Sequence, residues 1–208
     1  MHRGQVSNAV IRRMPKYYRC LNELAKDGVT KISSRTLAEY MGLTASQIRQ
    51  DFNCFGGFGQ QGYGYNVNTL MTEIASILGV EKLHKAVMIG VGNIGHALLH
   101  NFNFAKCGFE IVCAFDLGED MIGNKIEGVP VLHPDDLEKF AEENPFDIAI
   151  LALPKKAAPE MSDRLVNLGI KGIWNFVNVD LKRRHPNIVI EDVHFADSLM
   201  TLCYGISE

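Results

Sequence analysis

The stretch AVMIGVGNIGHALL, residues 86–99, constrains this chain most. A short apolar run from Ala86 to Ile89 leads into Gly90-x-Gly92-x-x-Gly95, and a helical pattern (Ile94, Ala97, Leu98) starts at once. Strand, glycine turn and helix in that order suit a dinucleotide pyrophosphate. The first glycine permits the tight turn, the second lets the backbone approach the phosphates, and the third lets helix and strand pack closely. The helix N-terminus adds free N–H groups and a positive dipole end. Val91, Asn93 and Ile94 complete the candidate turn. A bare G-x-G-x-x-G is weak evidence, but here a second apolar run, Glu110 to Phe115, ends in Asp116, 21 positions after Gly95. That is close to the roughly 20 expected of the acid that takes the ribose hydroxyls. The competing reading is an ordinary strand–helix turn whose Asp116 only caps a backbone group. A carboxylate at this position would repel a 2′-phosphate, which favours NAD(H) over NADP(H).

The pattern continues as strand–helix units, so the expected fold class is α/β with a Rossmann-like, doubly wound parallel sheet over residues 81–192. Phe146 to Leu153 is a near-continuous apolar run, as a buried parallel strand should be. Pro154 stops it at the carboxyl edge, where ligands bind in such sheets. Gly172 to Phe176 forms another strand and brings Asn175 and Phe176 to the same edge. Helices are expected over 135–143 and 155–168, and a last strand over 188–190. Residues 194–206 read as an amphipathic helix with Phe195, Leu199, Leu202, Cys203 and Ile206 on one stripe. A terminal helix this apolar must pack somewhere, either on its own domain or on a second subunit as a swapped arm. Residues 193–208 are therefore a candidate dimerisation segment.

The first 80 residues differ in charge: nine Lys/Arg against five Asp/Glu, while the remainder carries twelve against nineteen. A basic part on an acidic remainder suggests an anionic partner for the first part. A helix is expected from Met14 to Lys26, with Pro15 tolerated in its first turn. Ser33 or Ser34 caps a second helix, ended by Gly42. Thr44-x-x-Gln47 reads as a capping box for a third, Ala45 to about Phe52. Ala38, Gly42 and Ile48 sit at helix-turn-helix spacing, and the third helix would present Ser46, Gln47, Arg49 and Gln50 to a major groove. Arg49 could reach guanine or phosphate, and Gln47 or Gln50 could pair with adenine. The alternative is an αα-hairpin with a solvated polar face. The glycine- and aromatic-rich stretch 52–67 reads as a hairpin wing whose tip, Gln60, Gln61, Gly62 and Tyr63, lies over a minor groove. Phe52, Phe55 and Phe58 read as core. A last helix, Thr69 to Leu78, capped by Asn68, closes a winged-helix domain over residues 1–80.

No apolar run approaches the roughly 20 residues of a membrane span, and the N-terminus lacks a signal-peptide apolar stretch. Five scattered cysteines without a C-x-x-C fit a reduced, cytosolic chain in which most are small buried hydrophobes. His96 and His100 stand i, i+4 on one helix, but no third ligand accompanies them, so they read as surface residues rather than a metal pair. No histidine, lysine or acid stands in a catalytic arrangement. A dehydrogenase would need a proton-transfer residue and a substrate domain, and no room remains for the latter. A CoA-binding enzyme module shares the architecture. The basic helix-turn-helix argues against both.

In order and spacing, ISSRTLAEYMGLTASQIRQDF, FGGFGQQGYGYNV, GVGNIGHALL, FDIAILALP and GIKGIWNF resemble the Rex redox-sensing transcriptional repressors over nearly the whole chain. The resemblance implies a homodimer of winged-helix and Rossmann domains, binding NADH and NAD+, with a C-terminal helix swapped into the partner. NADH would release double-stranded operator DNA, and NAD+ would permit binding. It places Gly90, Gly92, Gly95, Asp116, Leu153-Pro154 and Asn175-Phe176 at the dinucleotide site, and Phe195 towards the partner's nicotinamide region. Departures are visible. Gln50, Gln60 and Gln61 stand where the family usually has basic residues, and Asn101 where it has a tyrosine. His194 replaces an aspartate that would pair with Arg19 across the dimer. These departures leave open a relative with altered DNA specificity or a weakened redox response.

Overall fold

The computed structural model describes residues 6–58 and 63–207. The chain divides into two compact units, Met1–Glu81 and Lys82–Glu208.

In the first unit, α1 runs Asn8–Lys26 and starts at Ser7, whose side chain accepts the Val10 N–H. The helix begins a turn and a half before the expected start because Val10 and Met14 extend the apolar stripe of Tyr17, Leu21 and Leu24 backwards at helical spacing. Pro15 therefore lies in the helix interior rather than its first turn. It sits on the exposed face, and it has no N–H to donate to the Ile11 carbonyl one turn earlier. The short strand β1 (Lys31–Ile32) precedes α2 (Ser34–Met41), which is capped by Ser33 and ended by Gly42 in the left-handed region at φ 63°. α3 (Ala45–Asn53) is capped by Thr44. Ala38 and Ile48 are both buried where the two helices meet.

Apart from Tyr63, the tip of the expected hairpin over 52–67 lies outside the described residues. β2 (Tyr65–Asn66) pairs antiparallel with β1, with Ile32 opposite Tyr65, across the intervening helices. Residues 54–58, which follow α3, form turns, with Gly56 and Gly57 at φ 102° and 78°. Glycine there weakens a strand and favours reversal. Gly64 is required where the two strands meet, since a Cβ on it would stand 2.7 Å from the Ile32 carbonyl oxygen. Phe52, Phe58 and Tyr65 then gather edge to face, with centroids 5.2 to 5.4 Å apart. α4 (Val67–Leu78) is capped by Asn66, two residues before the expected cap, because Val67 and Leu70 are both drawn into the core.

The second unit is a seven-stranded sheet in the order β5-β6-β4-β3-β7-β8-β9. The strands are β3 His84–Ile89, β4 Phe109–Phe115, β5 Lys125–Ile126, β6 Val129–Leu132, β7 Ile148–Leu151, β8 Gly172–Asn175 and β9 Val189–Asp192. All pairings are parallel except β5 with β6. The helices are α5 Asn93–Asn101, α6 Leu137–Glu143, α7 Ala158–Asn167 and α8 Phe195–Gly205. Alternation along the strands gives the sheet two apolar faces. Val87, Ile89, Ala149 and Leu151 pack with Leu137 and with Met161 and Leu165 of α7, while Met88, Ala114 and Ile150 pack with Leu99 of α5 and Phe104. None of the residues of α8 is buried.

Pro15 yields a test. The P15A variant restores a helical hydrogen bond and removes the ring, so the first unit should gain about 1–2 kcal/mol. Denaturant unfolding followed by circular dichroism reads this, and an unchanged or lower midpoint would count against it.

Candidate dinucleotide cleft and nucleic-acid interface

The sheet order reverses at β3, where β4 lies on one side and β7 on the other. Such a switch point leaves a crevice at the carboxyl edge. A cleft of about 790 Å3 opens there, lined among others by Gly90, Gly92, Asn93, Ile94, Asp116, Leu153 and Pro154. Each glycine has a separate reason. Gly90 adopts φ 91°, and a Cβ on it would stand 2.5 Å from the Ala152 carbonyl oxygen. A Cβ on Gly95 would stand 2.1 Å from the Gly90 carbonyl oxygen, so this residue sets how closely α5 crosses β3. A Cβ on Gly92 would meet nothing within 4 Å. Gly92 begins α5 without a side-chain cap, which leaves the first N–H groups of the helix facing exposed ground, as an anion site needs.

Val91 is fully buried among Met88, Leu99 and Phe104, so it serves the turn through its backbone rather than through the cleft. Its N–H donates to Asp116 Oδ2 at 2.5 Å, and the Gly118 N–H donates to Oδ1 at 2.8 Å. The acid expected at the ribose thus also ties the glycine turn to the end of β4, and each oxygen keeps a lone pair for a further donor.

Asn175, Phe176 and Phe195 do not line this cleft. Asn175 is buried, its Nδ2 donating to the Val179 carbonyl and to Asp192 Oδ1 and its Oδ1 accepting the Val177 N–H. It holds the loop after β8 in place. Phe176 lies 4.6 Å from the Trp174 ring and 6.2 Å from that of Phe195, centroid to centroid. α8 keeps its apolar residues outward, with Leu199 62% and Leu202 60% exposed. His194 is exposed beside that helix, and Arg19 is exposed on α1.

The floor of the cleft holds residues that the glycine motif does not announce. Pro134 and Ala157 stand beyond the carboxyl ends of β6 and β7, with Arg164 and Glu160 on α7. Arg164 donates to both Glu138 oxygens at 2.7 to 2.8 Å and to the Pro134 carbonyl. The Glu138 pairing raises its pKa. The edge rule that located Leu153 and Pro154 would also have found Pro134.

In the first unit, Ser46, Arg49 and Gln50 are exposed on α3, and Arg49 Nη1 donates to Ser34 Oγ at 3.1 Å. Gln47 closes only half of the capping box. Its N–H donates to Thr44 Oγ1 at 3.1 Å, but its side chain turns to Asp51 Oδ1 at 2.8 Å. Tyr63 is exposed, and Gln60, Gln61 and Gly62 lie outside the described residues.

Asp51 carried no signal in the sequence pattern, yet among the described residues it is the only charged side chain that is buried. Arg13 donates to both its oxygens at 2.6 and 2.8 Å, and the Tyr17 hydroxyl donates at 2.8 Å. Burial alone would raise its pKa, but these bonds outweigh burial and hold it below the usual carboxylate range. Of the five cysteines, only Cys113 is buried, Cys20 and Cys107 are half-buried, and Cys54 and Cys203 are exposed. Most are therefore not the core hydrophobes expected. Burial pushes the Cys113 thiol up to about 12, which disfavours the thiolate. His96 and His100 are exposed and stacked, and His100 meets Glu127 at 2.7 Å. Among the described residues no group of three potential ligands could hold a metal, and no helix is long and apolar enough to cross a membrane.

A helix-turn-helix unit joined in one chain to a Rossmann unit with an open glycine-lined cleft defines the class of ligand-responsive DNA-binding proteins. Comparison with known proteins agrees. Residues 5–53 match the sequence profile described as "Putative DNA-binding protein N-terminus", and residues 81–179 match that of the CoA binding domain. The redox-sensing transcriptional repressor Rex of Caldanaerobacter subterraneus subsp. tengcongensis is 49% identical over 98% of this chain and 90% of its own length. Rex of Clostridioides difficile is 49% identical over 98% of this chain and 96% of its own. Among solved structures, RSP in complex with NAD+ and operator DNA superposes with a TM-score of 0.89 at 49% identity, covering 97% of this chain and 92% of that one. RSP with NADH gives 0.89 at 45% identity, covering 98% and 95%. The chain belongs to the Rex family of redox-sensing transcriptional repressors.

The glycine geometry predicts two different failures. G95A should lower the stability of the second unit by about 1–3 kcal/mol, because the added methyl group meets backbone. G92V should melt like the parent, because its side chain enters open space. Thermal unfolding of both variants separates them, and equal losses would contradict the assignment of Gly92 to the ligand side.

Proposed function

We propose that this chain is a homodimeric, cytoplasmic repressor that binds double-stranded operator DNA and senses the NADH/NAD+ ratio, with NADH releasing the DNA. The reading rests on one observation above all: a helix-turn-helix and an open dinucleotide cleft stand in one chain whose relatives include a repressor solved with NAD+ and operator DNA and again with NADH.

In this reading the pyrophosphate sits at Gly92, Asn93 and Ile94, and Asp116 takes the adenosine ribose. The nicotinamide end runs past Leu153 and Pro154 along the carboxyl edge towards Asn175 and Phe176. Asn175 acts there by shaping the loop, since its polar atoms are already engaged. Phe195 opens α8, and the apolar stripe of that helix is the surface a partner subunit covers. Arg19 and His194 are the groups proposed to meet across the dimer, where a histidine attracts an arginine less than an aspartate would. Ser46, Gln47, Arg49 and Gln50 face the major groove, and Gln60, Gln61, Gly62 and Tyr63 the minor groove. A CoA-binding enzyme is the less favoured reading, because the relatives are repressors and the first unit has no part in such chemistry.

Operator binding measured at fixed salt with NAD+ and with NADH tests the function. Affinity should be high with NAD+ and fall with NADH, and equal affinity would overturn the redox reading. R49A should lose about 1–3 kcal/mol if Arg49 reads a base edge, or lose affinity uniformly across sequences if it only touches phosphate. Adding charge with Q50K and Q61R should steepen the salt dependence by about one unit for each phosphate newly neutralised.

Removing residues 194–208 tests the arm. The truncated chain should lose dimer stability and NADH-coupled release together. Sedimentation showing an intact dimer that still responds to NADH would exclude it.

A further inference from the structure

Asp51 presents a puzzle of supply. A carboxylate offers about four lone-pair sites. Arg13 fills two of them, and the Tyr17 hydroxyl fills a third. Those donors come from α1 and already balance the charge of a side chain that is 1% exposed. Gln47 Nε2 takes the fourth site at 2.8 Å. Asp51 could be satisfied without it, and the capping box offered the Gln47 side chain another partner at Thr44. What this bond does is best seen from the side of Gln47.

A glutamine amide has two edges and can turn over about its last torsion with little cost. A carboxylate accepts only, so it tolerates Nε2 and repels Oε1. Asp51 thereby removes one of the two orientations. One Nε2 hydrogen is committed to Asp51. The other, with Oε1, forms a donor–acceptor pair that matches N7 and the N6 amino group of adenine in the major groove. Gln47 is the third residue of α3, in the N-terminal stretch by which a recognition helix meets base edges. Asp51 itself is locked by the bidentate Arg13, which turns the orientation of an otherwise loose side chain into a property of the fold.

We propose that Asp51 is a positioning residue for sequence readout: it orients the Gln47 amide so that this residue selects an adenine in each operator half-site. The proposal rests on the reading of α3 as the recognition helix. The acid matters for which base is chosen, through Gln47, and touches no DNA.

Selection from a randomised duplex pool in the presence of NAD+, followed by affinity measurements on single-base variants of the selected site, tests it with the full chain. The parent should prefer adenine at one position per half-site by about tenfold. Q47A should lose that preference and keep the others. D51N should lose the same preference, and in the Q47A background D51N should cause no further loss of discrimination. A merely structural Asp51 would instead lower affinity by the same factor for every sequence in both backgrounds, and that result would overturn the proposal. Circular dichroism and NADH titration report whether D51N is folded. If it is not, Q47E is read in its place, since it leaves Arg13, Tyr17 and Asp51 bonded to one another. Asp51 should repel the new carboxylate and leave no base preference at that position. A clean switch to cytosine there would show that residue 47 is aimed without Asp51 and would refute the role. Failure of the parent to select any site would overturn the DNA-binding reading itself, whereas selection without an adenine dependent on Gln47 overturns this inference alone.

Discussion

The second unit depends on the close approach at one crossing. A Cβ at position 95 would lie 2.1 Å from the Gly90 carbonyl oxygen, and one at position 90 would strike Ala152. Two glycines thus let α5, the end of β3 and the end of β7 share a space that side chains would otherwise fill. The sheet order follows from the same point, because β3 is the strand from which the topology departs in both directions. The ligand site is the third consequence. The cleft exists because the backbone there is bare, and the helix N-terminus faces it because Gly92 has nothing to put in the way. Neighbouring residues of one motif thus serve different ends, with Gly95 allowing the close packing and Gly92 leaving the cleft open.

The first unit solves a different problem. Its core is small and aromatic, with Tyr17 and Phe52 at 4.9 Å between ring centroids. Into its margin it admits one carboxylate, with a guanidinium, a phenol and an amide converging on it. Buried ion pairs contribute little net stability compared with well-packed apolar residues, but they are costly to break and have a defined geometry. Here that geometry links α1 to α3, so the orientation of the helix that carries Ser46, Gln47 and Arg49 is set by directional bonds as well as by packing.

Much of this was legible from sequence, and the reasons for the remainder are physical. Gly90, Gly92, Gly95 and Asp116 could be read because each serves a local backbone need with few alternatives. The helix-turn-helix could be read because Ala38, Gly42 and Ile48 have fixed spacing. Pro15 was misplaced because a proline is compatible with the first turn, and only the burial of Val10 shows that the helix continues back past it. The pairing of β1 with β2 went unread because the two strands are two residues each and pair across two intervening helices, a separation to which local patterning is blind. Asn175 shows the limit of edge reasoning. It lies at the correct end of its strand, but its amide faces inward to satisfy the next loop. Asp51 left no trace in the pattern because its partners, Arg13 and Tyr17, stand more than thirty residues away.

Asp116 carries a consequence for how the cleft meets a ligand. Its two oxygens accept from Val91 in the glycine turn and from Gly118 beyond β4. The acid is anchored by backbone donors that need no ligand, and lone pairs remain for a sugar hydroxyl. With the ribose at Asp116, as proposed above, that end of the cleft would have little conformational entropy left to lose when a nucleotide arrives. Oxidised and reduced nucleotides carry the same adenosine half and, in that placement, would meet the same backbone-anchored acid. This end would then supply affinity common to both, and discrimination between them would fall to the nicotinamide end of the nucleotide. Such a division would let a sensor remain saturated while it reports a ratio rather than a concentration.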